Sequence, residues 1–182
     1  MKTTKGVSMK RRTALTAALL LSTVAVPLSA SLPSAANAGI VVTACTAAQL
    51  KVSFGHPDGT AGTIYYSLTF TNTGKNQCSI SGVPSVQPVA DSVKLLPIGP
   101  AARNMSMGQM GVVHILKKGQ STSAAIGFVE TGNYTPSTCR PNTIIFLSVS
   151  LGAVTNRRVA TGPLSVCTKI SSVTTRLLGP VH

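Results

Sequence analysis

The sequence predicts an antiparallel β-sandwich of eight or nine short strands, and three observations carry that prediction. Apolar and polar residues alternate with the period of a half-buried strand at several points along the chain. Clusters of Gly, Pro and Asn separate these stretches. Helical periodicity is nearly absent after residue 38, where only Thr46-Ala47-Ala48-Gln49 has the make-up of a single turn behind an N-cap.

The elements follow in order. Leu50, Val52 and Phe54 alternate with Lys51 and Ser53 as a first strand, and His56-Pro57-Asp58-Gly59 has the composition of a turn. Ile64, Tyr66, Leu68 and Phe70 then alternate with Tyr65, Ser67, Thr69 and Thr71, which makes the first set core and the strand the antiparallel partner of its predecessor. Thr71 to Gln77 is expected to be a surface turn, with Asn72, Gly74 and Asn76 supplying turn chemistry. Cys78 to Ala90 carries Ile80, Val83, Val86 and Val89, and its prolines make it an edge-type, bulged strand. Lys94 to Ile98 is a short apolar run, and Val112 to Leu116 is a strand. After Lys117-Lys118-Gly119-Gln120, residues Thr122, Ala124, Ile126 and Phe128 alternate on the next strand. Gly132 to Asn142 is a polar loop. Ile145, Leu147, Val149 and Leu151 alternate with Phe146, Ser148 and Ser150, a turn spans Gly152 to Asn156, and Arg158 to Val166 returns. Val173, Thr175 and Leu177 suggest a last strand.

The start of the chain is set apart from this pattern. Lys2, Lys5, Lys10, Arg11 and Arg12 precede an apolar run over residues 14–28, and Ala36-Asn37-Ala38 has the form of a small-x-small cleavage site. Residues 1–38 therefore read as a cleaved secretory signal peptide, with residues 39–182 as a single domain. The residues after Arg11-Arg12 match a twin-arginine signal poorly, and the export route stays open. No later apolar segment is long enough to span a membrane as a helix.

The four cysteines, Cys45, Cys78, Cys139 and Cys167, all fall after residue 38, and an even count in an exported chain implies two disulfides. Cys45 precedes the first strand and Cys78 follows the second, so an antiparallel pair brings them together. Cys139 and Cys167 bracket the later pair in the same way. The expected bridges are therefore Cys45–Cys78 and Cys139–Cys167, each worth on the order of 3 kcal/mol.

One stretch of residues resembles a known family. Cys45 with Leu50, then Leu68-Thr69-Phe70-Thr71-Asn72-Thr73-Gly74, then Cys78-Ser79-Ile80-Ser81-Gly82-Val83-Pro84, Leu116-Lys117-Lys118-Gly119 and two late cysteines are similar to the secreted actinobacterial family called domain of unknown function 4232. The resemblance runs from about residue 45 to about residue 180. It implies an Ig-like β-sandwich, exported and often a lipoprotein, and it brings no activity and no catalytic residues. Lipoprotein relatives carry a lipobox cysteine beyond the structural set. Val42-Thr43-Ala44-Cys45 loosely fits a lipobox, but lipid on Cys45 would leave three cysteines, so a disulfide is expected there instead of an anchor.

The remaining chemistry is sparse. The five cations before residue 39 reduce the formal charge from +13 to +8 for the domain, whose three acids are Asp58, Asp91 and Glu130. This basic balance favours anionic partners. No aromatic-interleaved basic run supports nucleic-acid binding. His56, His114 and His182 complete the titratable candidates, with His114 expected as a half-buried strand residue. No GxSxG, HExxH, P-loop or GxGxxG pattern occurs. A metal centre is not expected. The nearest approach to one is Met105, Met107 and Met110 with His114, a set suited to copper(I), whose alternative is methionines filling gaps in the packing. The leading expectation is a non-enzymatic module of the cell envelope, without cofactor, that binds an anionic wall polymer or a protein. An exported copper-binding protein is the alternative, and a hydrolase follows it.

Overall fold

A computed structural model describes residues 41–90 and 93–181. The expected signal peptide over residues 1–38, Asp91 and His182 lie outside the described residues. Among the described residues ten strands run in chain order: β1 (Leu50–Thr60), β2 (Thr63–Asn72), β3 (Cys78–Ile80), β4 (Ser85–Val89), β5 (Arg103–Asn104), β6 (His114–Leu116), β7 (Ser121–Val129), β8 (Pro141–Leu151), β9 (Val154–Cys167) and β10 (Val173–Val181). A 3-10 turn, Thr131–Asn133, and one short helix, α1 (Pro136–Cys139), interrupt the segment read from sequence as a polar loop.

Two sheets face each other. One has five strands in the order β1-β2-β7-β10-β5, and the other has three in the order β4-β8-β9; β3 and β6 form a small third ladder. Among the described strands the pairings are antiparallel except the two-residue contact of β5 with β10, and Ala44 makes an isolated parallel bridge to Ser79. Leu68, Phe70, Ile126 and Val173 from the larger sheet form one apolar cluster with Val86, Leu147, Val149 and Val159 from the smaller. Burying such side chains is worth about 1.5–3 kcal/mol each and is the main force closing the sandwich. The architecture is an Ig-like β-sandwich, and residues 38–182 constitute one compact unit.

The alternation in β2 explains its place. Leu68 and Phe70 are fully buried, while Ile64 and Tyr66 are half-buried toward the open end of the core. There Phe54 stacks on Tyr66 with ring centroids 4.6 Å apart, and Phe128 meets both edge-on. On the opposite face of the sheet one row crosses all five strands: Asp58, Tyr65, Gly127, Thr174 and Arg103. Gly127 has no room for a side chain, because a Cβ there would stand 2.6 Å from Thr174 Oγ1 and 2.9 Å from Tyr65 Cε1. The tyrosine ring covers the glycine and restores the packing surface it lacks.

Two elements differ here from their sequence reading. His56 to Gly59 is strand, since β1 continues to Thr60 and the turn falls at Ala61-Gly62. A bulge between Phe54 and Pro57 absorbs the irregularity, and β1 is an edge strand, where a proline breaks no ladder on its free side. Cys78 to Ala90 is two strands in different sheets, because the chain crosses the sandwich at Gly82-Val83-Pro84. The apolar run Lys94 to Ile98 contributes a single bridge, Pro97 to Val89, and residues 97–102 run along the free edge of β4.

The surface turn expected over Thr71 to Gln77 starts later, because Thr71 and Asn72 still belong to β2 and Asn72 is 0 % exposed. Its Nδ2 donates to the carbonyls of Asn76 and Leu116, both at 2.9 Å, and its Oδ1 accepts from Gly74 N–H at 2.9 Å. Its backbone closes two further bonds to Gly119 and Gln120. Asn72 thus ties the turn after β2 to the turn between β6 and β7.

Both disulfides staple strand ends. Cys45 joins Cys78 and Cys139 joins Cys167. In each case the antiparallel ladder supplies the proximity: Leu50 pairs with Asn72, and Pro141 pairs with Cys167.

Candidate functional site

Among the described residues the titratable candidates do not converge. His56 and Asp58 are exposed on β1, while His114 is half-buried on β6 opposite Ile80, with its Nε2 buried and without a hydrogen-bond partner. Glu130 is exposed just after β7. Among the described residues no group of three or more His, Cys, Asp or Glu is placed to hold a metal ion.

Glu130 does belong to a cleft. A cavity of about 290 Å³ opens at one end of the sandwich, lined by Tyr66, Phe128, Glu130, Thr131, Leu164 and Ser165 among others. Thr131 Oγ1 and Ser165 Oγ stand 3.1 Å apart across it. The cleft combines an aromatic floor, two hydroxyls and a carboxylate, and no histidine lines it.

The charged residues are distributed unevenly along the larger sheet. Strand direction places the start of β1, the end of β2 and the start of β7 at one end. Lys51, Lys75, Lys117 and Lys118 gather there, all exposed, around the turns that Asn72 holds together. At the opposite end Asp58 and Glu130 share the region with Arg140 and Lys169. One end of the sandwich is therefore cationic, and the other is nearly balanced.

The segment leading to the lysine end has an unusual surface. After β5 the chain is pinned from within: Met105 N–H donates to Thr175 O at 2.9 Å, Ser106 N–H to Asn104 Oδ1 at 2.8 Å, and Leu177 N–H to Ser106 Oγ at 3.0 Å. Ser106 is only 6 % exposed. The apolar side chains point the other way. Met107 is 81 %, Met110 95 % and Val112 68 % exposed, and Met105, Val113 and Ile115 are also exposed. The methionines fill no gap in the packing, which corrects the gap-filling alternative. Met105 and Met107 share an open groove of about 550 Å³ with Arg103 and Asn104; neither Met110 nor His114 lines it. Side-chain type marks these methionines in the sequence but does not tell which way they face.

Fold and cysteines define the class as a small, disulfide-stapled Ig-like sandwich with a cationic end and an exposed apolar loop. Within that class the chain belongs to the family described as Domain of unknown function (DUF4232), whose family model matches residues 45–176. That span holds both disulfides, Asn72 and the whole methionine segment. No curated protein and no solved structure matches the chain.

Proposed function

We propose that the chain is a non-enzymatic, exported binding module of the cell envelope that docks an anionic polymer through its lysine end. The observation that carries this reading is the gathering of Lys51, Lys75, Lys117 and Lys118 at one end of the larger sheet. No acid occurs in the sequence between Asp91 and Glu130, so nothing in that stretch neutralises Lys117 and Lys118. Four cations on a rigid end raise the local concentration of a polyanion and steer its approach. Two disulfides and a β-rich core suit a chain that works outside the reducing cytosol.

The test is retention of the oxidised domain on purified, lipid-free wall material. Retention is expected at about 0.1 M salt and is expected to fall steeply by about 0.5 M, where screening shortens the reach of exposed charges. Lys75→Glu/Lys117→Glu/Lys118→Glu is expected to abolish it without changing the thermal melt. Failure to bind at any salt concentration, or equal retention of the triple variant, sinks the proposal.

A further inference from the structure

We infer that the loop between β5 and β6, residues 105–113, inserts its apolar side chains into an anionic lipid surface. The inference rests on the proposed function for its setting outside the cytosol and shares Lys117 and Lys118 with it; the apolar side chains of the loop belong to this inference alone.

Three observations carry it. The first is the inversion of the loop, whose polar anchor Ser106 faces the protein while Met105, Met107, Met110, Val112 and Val113 face solvent. Three hydrogen bonds fix the start of the loop at Met105 and Ser106, which lowers the ordering cost of presenting the side chains there. The second is the side-chain type. Met and Val offer apolar area without hydrogen-bonding groups, which suits a fluid hydrocarbon boundary that supplies no fixed partner. The third is charge complementarity. Arg103 precedes the loop and Lys117-Lys118 follow it, all exposed, and no acid lies between them in sequence. Apolar side chains flanked by cations, with no acid in the sequence between them, match the boundary of a bilayer with anionic headgroups, where each Lys or Arg near the surface adds about fivefold to binding. A protein partner would instead call for fixed polar complementarity at the rim.

The experiment uses the oxidised compact unit, residues 38–182, which holds the entire described core and both disulfides. The chain has no tryptophan, so Met110→Trp provides a single fluorescent reporter. Its emission is expected to shift to the blue on adding vesicles of phosphatidylcholine with phosphatidylglycerol, and to stay unchanged with phosphatidylcholine alone. A control, Ala160→Trp on exposed β9, is expected to show no shift with either. In sedimentation with the mixed vesicles, Met107→Ser/Met110→Ser/Val112→Ser is expected to lose about tenfold or more in binding. The same variant is expected to keep full retention on lipid-free wall material, which separates this inference from the lysine-end reading. No blue shift, or vesicle binding by the triple variant equal to the parent, overturns it. Cross-linking of the loop to an envelope protein with no vesicle binding overturns it in favour of a protein partner.

Discussion

Replacing Asn72 by alanine tests what holds the lysine end together. The side chain makes three hydrogen bonds, two as donor to Asn76 and Leu116 carbonyls and one as acceptor from Gly74 N–H. The bond to Leu116 is buried, and the other two are partly buried. At about 1 kcal/mol for each partly buried bond and about 1–2 kcal/mol for the buried carbonyl left unsatisfied, Asn72→Ala costs about 3–4 kcal/mol. In a domain of this size that lowers the midpoint of thermal unfolding by about 10 °C. Thr73→Ala is the control, because Thr73 Oγ1 makes one exposed bond to the Gln49 carbonyl and its loss costs under about 1 kcal/mol. Asn72→Asp sharpens the test. It keeps an acceptor for Gly74 but turns lone pairs toward two carbonyl oxygens, so it is expected to cost at least as much as alanine. The assay is urea unfolding of the oxidised domain followed by circular dichroism, with the slope compared between variants. An Asn72→Ala midpoint indistinguishable from that of Thr73→Ala refutes the reasoning.

Two further substitutions have worked outcomes. Thr175 faces the core in register with Ile126, and its buried hydroxyl has no hydrogen-bond partner, so Thr175→Val is expected to stabilise the fold by about 1 kcal/mol; a lower melting temperature contradicts this. Gly99 has φ +70°, and a Cβ there would press on the backbone of Cys167 and Thr168, so Gly99→Ala is expected to cost about 2–4 kcal/mol; a urea-derived loss under about 1 kcal/mol shows that the loop yields instead.

The readable part of this chain is the part governed by strand periodicity. Leu68 and Phe70 are core because residues two apart share a face, and that rule needs no tertiary information. The cysteine pairs follow from the same rule, since the ends of adjacent antiparallel strands coincide. The misread stretches depend on sheet position. Pro57, Asp58 and Gly59 are turn-forming residues anywhere except on an edge strand with a bulge, and edge status is a property of the assembled sheet. Asn72 has the composition of a surface turn, yet its burial comes from the β6–β7 turn more than forty residues away. The methionine segment is legible as apolar but not as outward-facing, because its direction is set by Ser106 bonding to β10. The lysine end is invisible as a run, since strand reversal collects its four lysines from three separate places in the sequence.

The strand order also bears on how the fold forms. β8 and β9 are joined by a two-residue turn, and Cys139–Cys167 closes their far end, so this hairpin is local and early. The middle of the larger sheet is the reverse. Thr71 meets Ser121 across fifty residues, and Thr122 meets Gly179 across 57. Such high contact order makes the docking of β7 between β2 and β10 the slow step, since loop-closure entropy is lost before the pairing contributes. Until it occurs, Leu68 and Phe70 lie on a strand paired only with β1, with its other edge open, and that interval is when the chain is most open to aggregation. Oxidation of Cys45–Cys78 shortens the search by fixing the exit of β2 before β7 arrives.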